Sequence, residues 1–261
     1  MKEILTDLIM KKLNQHKKEL QKAFNSKHAV CVARFFVLDD LLPRKIAYQM
    51  YDEFPNIKKM RTLNNFGELK FKFAALKNTS PLLQAMHYAV QDPKVIAIVE
   101  DITGIKNQVP DQSRIAGGVS AMIKHYYLNP HLDNSHNIDK TLYRTVNLLY
   151  YLSPDWQIEN GGNYHLWNET VTECIQVPSF FNRFVVMETH QKSWHSVSPV
   201  TVDAPRCCLF NYYFSAQSPL AQDYFHGAAS LFFNPLFRAR PEQTLLRQLD
   251  KIKKIFCKRH A

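Results

Sequence analysis

The chain has 261 residues, of which 46% are hydrophobic and 12% aromatic, so it can bury a sizeable core as one integrated domain. Its formal net charge is +10, and eight Lys/Arg against Glu242 and Asp250 give the segment from Arg238 onward +6 of that excess. No apolar run reaches the length of a membrane span and no signal-peptide core opens the chain, so the sequence predicts a cytoplasmic protein without membrane contact. The five cysteines form no CxxC pair and are odd in number, which argues against a disulfide framework.

The first 110 residues have a mixed, mostly helical pattern. Apolar side chains recur at helical spacing in several segments, and one segment has the β-branched and aromatic composition of a strand. The predicted elements are a helix over roughly the first 25 residues, a strand over Val30–Leu38, helices from Pro43 and over Leu82–Val90 and Lys94–Thr103, and a loop or hairpin over Leu63–Leu76.

From Gly117 the pattern changes to short β-rich runs separated by turn signals. Six such runs without intervening helices predict an antiparallel sandwich or barrel with helices on its outside. The runs are Val119–Leu128, Arg144–Leu152, Asn163–Trp167, Glu173–Val177, Arg183–Glu188 and Arg206–Phe214. We therefore divide the chain into N-terminal elements (1–115), a β core (116–216) and a C-terminal segment (217–261) that ends in a basic amphipathic helix from Glu242.

The sequence His131-Leu132-Asp133 is the first candidate for chemistry. Two residues apart in an extended segment, the imidazole and the carboxylate point to the same side and can bind one metal ion. A further imidazole would complete the two-His-one-carboxylate site of non-haem Fe(II) oxygenases, which leaves adjacent positions open. His195, just before the last predicted strand, is the best third ligand.

Arg206 follows His195 by eleven residues and begins the next predicted strand. An arginine binds a carboxylate through two parallel N–H···O bonds. If Arg206 faces the metal cavity, it is placed to hold a carboxylate co-substrate that chelates the iron.

These residues stand in a longer pattern that resembles the 2-oxoglutarate/Fe(II)-dependent dioxygenases, specifically their prolyl-4-hydroxylase-like branch. The resemblance covers roughly Met122 to Phe214, with a weaker match over residues 35–43. Its most specific part is Tyr150-Tyr151-Leu152 followed by Asp155-Trp156 and Gly161-Gly162, in this order between the two metal half-motifs. The resemblance implies a double-stranded β-helix, which is a cupin-like jelly roll of the α+β or mainly β class, with flanking helices.

The resemblance also implies roles for individual residues. Fe(II), 2-oxoglutarate and O2 would be the cofactors, with Arg206 pairing with the far carboxylate of 2-oxoglutarate and Tyr151 hydrogen-bonded to the same carboxylate. Either Tyr126 or Tyr127 would be a further co-substrate contact. The candidates for substrate contacts are Arg144, Asn147, Asn163 and Trp194, of which Arg144 is equally a neighbour of the metal ligands and Trp194 equally a lid or a packing residue.

The predicted reaction is hydroxylation of an unactivated C–H bond with release of succinate and CO2. Asp133 favours hydroxylation, because halogenating relatives carry a small residue at this position. The family branch favours a proline-like, amino-acid, peptide or other small substrate, which the residues do not name.

Two other classes of protein remain as alternatives. A zinc hydrolase on the same three ligands would leave Arg206 unexplained. A catalytically silent jelly-roll binding module would use its basic tail for a partner. For that tail a solvated helix face is favoured over nucleic-acid binding, and the oligomeric state is not predicted.

Overall fold

The computed structural model describes residues 1–64, 67–73, 76–111, 117–220, 222–227 and 229–230, so the predicted helix from Glu242 lies outside the described residues. The α-helices of this part are α1 (Lys2–Gln15), α2 (Lys17–Asn25), α3 (Arg44–Asp52), α4 (Pro81–Val90) and α5 (Pro93–Thr103). The first strands are β1 (Phe35–Leu38), β2 (Arg61–Asn64), β3 (Glu68–Phe73), β4 (Val109–Pro110), β5 (Gly118–Met122), β6 (Tyr127–Leu132) and β7 (Tyr143–Tyr151). They are followed by β8 (Tyr164–Trp167), β9 (Cys174–Val177), β10 (Phe184–Glu188), β11 (His195–Val197), β12 (Arg206–Ser215) and β13 (Ala229–Ser230). No helix among the described residues is long and apolar enough to cross a lipid bilayer.

The strands form one antiparallel sheet that curls on itself. Its main path runs β1-β10-β7-β12-β5-β3-β6-β11-β8-β9. β3 pairs with β5 through its C-terminal half and with β6 through its first residues, so it joins the two halves of the sheet. This curled sheet with flanking helices confirms the predicted jelly-roll class.

Two apolar layers pack against opposite faces of the sheet, and β7 shows how one strand serves both. Val146, Leu148 and Tyr150 belong to the layer between the sheet and the helices. Tyr151 belongs to the second layer, between the two halves of the sheet, and Leu149 packs against it. Because side chains alternate along a strand, successive residues of the sequence Val-Asn-Leu-Leu-Tyr-Tyr face the helices and the interior of the curled sheet in turn.

The structure differs from the sequence prediction at two N-terminal elements. The helix predicted over the first 25 residues is two helices, because the backbone of His16 (φ −105°, ψ 9°) leaves the helical conformation. The strand predicted over Val30–Leu38 is reduced to β1, which pairs with the edge of β10 through four residues.

The run Val119–Leu128, predicted as one strand, is also divided. β5 ends at Met122, and a turn that places His125 in the left-handed region (φ 72°) leads into β6. β6 then runs antiparallel to β11. This turn carries His131 into the strand beside His195.

Candidate metal centre and adjoining cavity

The three predicted metal ligands lie together inside the curled sheet. His131 and His195 are cross-strand partners in the β6–β11 pair, and Asp133 follows β6 directly. One nitrogen or oxygen atom of each residue lies within 4.8 Å of the other two, and Nε2 of His195 is 3.6 Å from Oδ2 of Asp133. Since metal–ligand bonds to nitrogen and oxygen are about 2.1 Å long, neighbouring donor atoms on one ion are about 3 Å apart. The pair His195 and Asp133, at 3.6 Å, approaches that spacing.

The hydrogen bonds of the two imidazoles orient them for metal binding. Nδ1 of His131 is 2.9 Å from the carbonyl oxygen of Asn129, and Nδ1 of His195 is 2.9 Å from that of Ser193. A carbonyl oxygen only accepts, so each Nδ1 carries the proton and each Nε2 presents its lone pair. Two Nε2 atoms and one carboxylate fit a divalent transition-metal ion.

The electrostatics of the site favour the same protonation states. Burial, together with the neighbouring His195, lowers the pKa of His131 to about 3. Burial raises the pKa of Asp133, but His195 and Arg144 outweigh it and hold that pKa below its ordinary value. At neutral pH, His131 is therefore neutral and Asp133 is ionised, which are the states that bind a metal.

Three polar side chains fix the carboxylate of Asp133. The Tyr212 hydroxyl donates to Oδ1 at 3.4 Å, and a terminal guanidinium nitrogen of Arg144 is 3.5 Å from the same oxygen. Nδ2 of Asn147 donates to Oδ2 at 3.4 Å. Arg144 and Asn147, predicted as substrate contacts, thus lie beside a candidate metal ligand.

The ligands border a small inner cavity of about 80 Å³. Arg206 lines the same cavity from the start of β12 and is 4% exposed. Its Nε donates to the Ser179 hydroxyl at 3.3 Å, and its guanidinium carbon lies 4.6 Å from the centre of the Tyr151 ring. A buried cation in the cavity that holds the metal ligands can bind the distal carboxylate of a metal-chelating acid.

Tyr151, predicted to bind the same carboxylate, lies beneath Arg206. Its buried hydroxyl has no hydrogen-bond partner among the described residues, although the Ser179 side chain is near enough to affect its pKa. Burial raises that pKa far above 10, so the hydroxyl keeps its proton and remains a donor.

The Gly161-Gly162 pair brings two backbone segments close to Arg206. A Cβ on Gly161 would lie 2.0 Å from the carbonyl oxygen of Pro199, and a Cβ on Gly162 would lie 3.1 Å from Cγ of Arg206. Both residues also have positive φ. The two glycines therefore allow this turn to pack directly against the arginine.

Six predicted site residues do not line the inner cavity: Tyr151 and Arg144, which adjoin its lining residues Arg206 and Asp133, and the four residues Tyr126, Tyr127, Asn163 and Trp194. Tyr126 stacks on Phe71 with 4.9 Å between ring centroids, and Tyr127 is buried in β6. The Asn163 side chain holds a loop, donating to the carbonyl of Ile158 at 2.7 Å. Trp194 is half-buried in the turn before β11, where its carbonyl oxygen accepts from the Trp167 backbone N–H.

Tyr164, Tyr212 and Lys70 line the inner cavity but were not singled out in the sequence. The ring of Tyr164 lies 5.5 Å from that of His195. Tyr164 closely follows Gly161-Gly162, and Tyr212 lies an even number of residues after Arg206 on one strand, which predicts that both side chains share a face. Motif proximity and strand periodicity could therefore have pointed to Tyr164 and Tyr212 as site residues. Lys70 lies in the segment 63–76, for which the sequence predicts only a loop or hairpin.

Residues 117–214 match the family model of the 2OG-Fe(II) oxygenase superfamily. A prolyl-4-hydroxylase of Pseudomonas putida is similar in structure, with a TM-score of 0.56 at 14% identity over 75% of this chain and 98% of that one. A prolyl 4-hydroxylase of Phytophthora capsici gives 0.54 at 18% identity, over 81% and 65%. A prolyl hydroxylase of Trichoplax adhaerens, in complex with a hypoxia inducible factor peptide fragment, gives 0.50 at 15%, over 79% and 90%. No protein of curated function matches the chain.

Proposed function

We propose that the chain is a 2-oxoglutarate/Fe(II)-dependent dioxygenase that hydroxylates an unactivated C–H bond of a small molecule or peptide. The match of residues 117–214 to the family model of the 2OG-Fe(II) oxygenase superfamily supports the proposal and its cofactors, Fe(II), 2-oxoglutarate and O2. The observation that carries the proposal is the common cavity of His131, Asp133, His195 and Arg206. It supplies three metal ligands and one cation for a co-substrate carboxylate within one cavity.

Each residue has a defined task in this proposal. His131, Asp133 and His195 hold Fe(II), which together with 2-oxoglutarate and O2 supplies the oxidising chemistry and yields succinate and CO2. Arg206 binds the distal carboxylate of 2-oxoglutarate and thereby orients the co-substrate. Tyr151 packs its ring against the guanidinium of Arg206 and keeps a protonated hydroxyl, which we assign to the same carboxylate.

The residues around Asp133 position that ligand and face the substrate. Tyr212, Arg144 and Asn147 each contact one of its carboxylate oxygens, so the carboxylate cannot rotate freely. The Oδ1 atom of Asn147 is buried without a hydrogen-bond partner among the described residues. Because an unpaired buried acceptor is costly, we assign this atom to a substrate hydrogen bond.

The test is succinate formation without added substrate. The purified chain is loaded anaerobically with Fe(II) and then given O2 and 2-oxoglutarate. We expect slow succinate release that is lost in His131→Ala and in Arg206→Ala. His16→Ala is the matched control, because His16 lies between α1 and α2 and pairs with Glu19 on the surface.

Two results would contradict the proposal. One is wild-type protein that binds Fe(II) but releases no succinate and shows no absorption change on addition of 2-oxoglutarate. The other is succinate release that persists in both site variants. The first result would favour the jelly-roll binding module, and the second would show that the succinate does not come from the assigned site.

A further inference from the structure

A second, wider cavity of about 480 Å³ adjoins the metal centre. Lys70, Asp133, Phe210 and Tyr212 line both cavities, so a molecule in the outer one reaches the candidate metal ligand Asp133. This position, next to the metal and outside the Arg206 pocket, is where a substrate would lie.

The walls of the outer cavity carry an excess of positive charge. Its charged lining residues among those described are Lys70, Lys72, Lys140 and Arg144 against Glu68 and Asp133. Both acids are engaged, since Glu68 is 2.6 Å from the ammonium of Lys70 and Asp133 is 3.5 Å from Arg144. Once Asp133 ligates a metal ion, its charge no longer offsets Arg144.

Strand periodicity explains how two of these lysines come to face the cavity. In the β3 sequence Glu-Leu-Lys-Phe-Lys-Phe, Glu68, Lys70 and Lys72 occupy alternate positions and therefore share one face. Because β3 bridges β5 and β6, that face is turned toward the interior of the curled sheet. A charged face that a hairpin would normally expose to solvent here lines a cavity.

Lys72 and Arg144 lack sufficient counter-charge within the described structure. Lys72 is half-buried, has no carboxylate within ion-pair distance among these residues, and its pKa is lowered by burial and by Lys70 and Arg144. Arg144 has a buried Nε without a hydrogen-bond partner there. A lysine without an ion-pair partner and a buried guanidinium N–H without a hydrogen-bond partner, on one wall, are expected to attract an anion.

The two cations pack on neighbouring aromatic rings of β12. The Lys72 ammonium lies 5.2 Å from the centre of the Phe210 ring, and the Arg144 guanidinium lies 4.1 Å from that of Tyr212. The two rings are neighbours, with centroids 6.3 Å apart. Both side chains also line the outer cavity, and Arg144 is near enough to Lys72 to lower its pKa, so an anion in this cavity is attracted to both.

We propose that the substrate carries an oxyanion, a carboxylate or a phosphate, that binds to Lys72 and Arg144 in the outer cavity. This inference rests on the proposed function, because it takes the occupant of the outer cavity to be the molecule that is oxidised. The aromatic rings of Phe210 and Tyr212 would flank the part of the substrate next to the charged group. A neutral prolyl side chain would leave the two cations unpaired.

The test is the binding of inorganic phosphate to the full chain, measured by calorimetry at low ionic strength without metal. We expect millimolar binding by the wild type and roughly tenfold weaker binding by Lys72→Gln, which loses a charge-assisted hydrogen bond. Lys192→Gln removes the same charge from the surface and should bind phosphate as the wild type does. If Lys72→Gln does not fold, Lys72→Met, which keeps an apolar stem, replaces it.

Equal binding by the wild type and Lys72→Gln, or no binding by the wild type, would overturn the inference. Acetate, titrated in parallel, tells the two sources of the oxyanion apart: dependence of acetate binding on Lys72 supports a carboxylate, and dependence of phosphate binding alone supports a phosphate.

A second arm separates substrate from co-substrate. In the substrate-free succinate assay, Lys72→Gln should leave the KM for 2-oxoglutarate within about twofold of the wild type. A tenfold rise in that KM would assign Lys72 to the co-substrate and overturn the inference. The phosphate titration needs no iron, so succinate release without phosphate binding contradicts only this inference. Lys72-dependent phosphate binding without succinate release contradicts only the proposed function.

Discussion

Nε2 of His195 lies 3.6 Å from Oδ2 of Asp133, although the two residues are far apart in the chain. The antiparallel pairing of β6 with β11 brings them together by making His131 and His195 cross-strand partners. One strand pair thus brings the third ligand, which is distant in sequence, next to the other two. The distances between the three donor atoms therefore depend on the register of that pair.

Replacing Asp133 with Ala should remove metal binding. The variant loses the anionic ligand, and the two remaining imidazoles hold a divalent ion roughly 100-fold more weakly or worse, since even outer-shell changes at metal sites cost 10- to 100-fold. Titration with Co(II), followed by its visible absorption, measures this affinity.

Asp203→Ala is the control for that experiment. Asp203 is an exposed carboxylate that pairs with Lys124 on the surface, so its loss should leave Co(II) affinity unchanged. If the Asp133 variant and the wild type bind Co(II) with equal affinity, Asp133 is not a metal ligand.

Arg206→Gln should raise the KM for 2-oxoglutarate about 100-fold, because two charge-assisted hydrogen bonds to the distal carboxylate are lost. Arg206→Lys keeps the charge without the planar fork and should recover only part of the affinity. The substrate-free succinate assay at varied 2-oxoglutarate gives KM and kcat separately. A change in kcat alone, with KM unchanged, would show that Arg206 does not bind the co-substrate.

The proximity of His131 and Asp133 could be predicted because their signal is local, whereas His195 was chosen from the family pattern. His131-Leu132-Asp133 places two donors on one side of an extended segment, and His195 and Arg206 follow in the order typical of the family. The cations of the outer cavity carry no such signal. The alternation of Lys70 and Lys72 suits any solvated hairpin, and only the position of β3 between β5 and β6 turns them inward.

The turn between β5 and β6 was missed for a different reason. The run Val119–Leu128 is rich in strand-forming residues throughout, and its turn contains a left-handed His125 in place of the glycine that usually marks one. Composition therefore predicted a continuous strand. Tertiary pairing with β11 and β12 divides the run, and pairing of this kind is invisible in a single sequence.

Glu188 should make stability depend on pH in the acidic range. It accepts hydrogen bonds from the backbone N–H and from Nε of Arg34, at 2.8 and 2.7 Å. Burial raises its pKa, but hydrogen bonds from His190 and Arg34 outweigh burial and hold the pKa below the ordinary 4.5. The folded state then binds fewer protons than the unfolded state, so this contribution is fully present above pH 4.5 and is lost as the pH falls through the lowered pKa.

Glu188→Gln tests this dependence by urea unfolding at pH 7 and at pH 3.5. At pH 7 the variant should be about 1–3 kcal/mol less stable than the wild type, the value of hydrogen bonds to a charged group. The difference should shrink at pH 3.5, where the wild-type carboxylate begins to bind protons. Glu159→Gln, which changes an exposed carboxylate, should unfold like the wild type at both pH values. A gap that is the same at both pH values would rule out the ionised carboxylate as its source.

Gly161→Ala and Gly104→Ala separate backbone strain from steric conflict. Gly104 ends α5 with φ 74°, and a Cβ there meets no atom within 4 Å, so its replacement should cost only the left-handed backbone strain of about 1–2 kcal/mol. Gly161 has φ 69° and ψ −156°, a region that is almost closed to other residues, and its Cβ would lie 2.0 Å from the Pro199 carbonyl oxygen. Strain and overlap together should cost more than about 3 kcal/mol in urea unfolding.

Because Gly162 contacts Arg206, any shift of this turn should also weaken 2-oxoglutarate binding, whereas Gly104→Ala should leave binding unchanged. Equal losses of stability in the two variants would mean that the turn relaxes without strain and that close packing on Pro199 is not required.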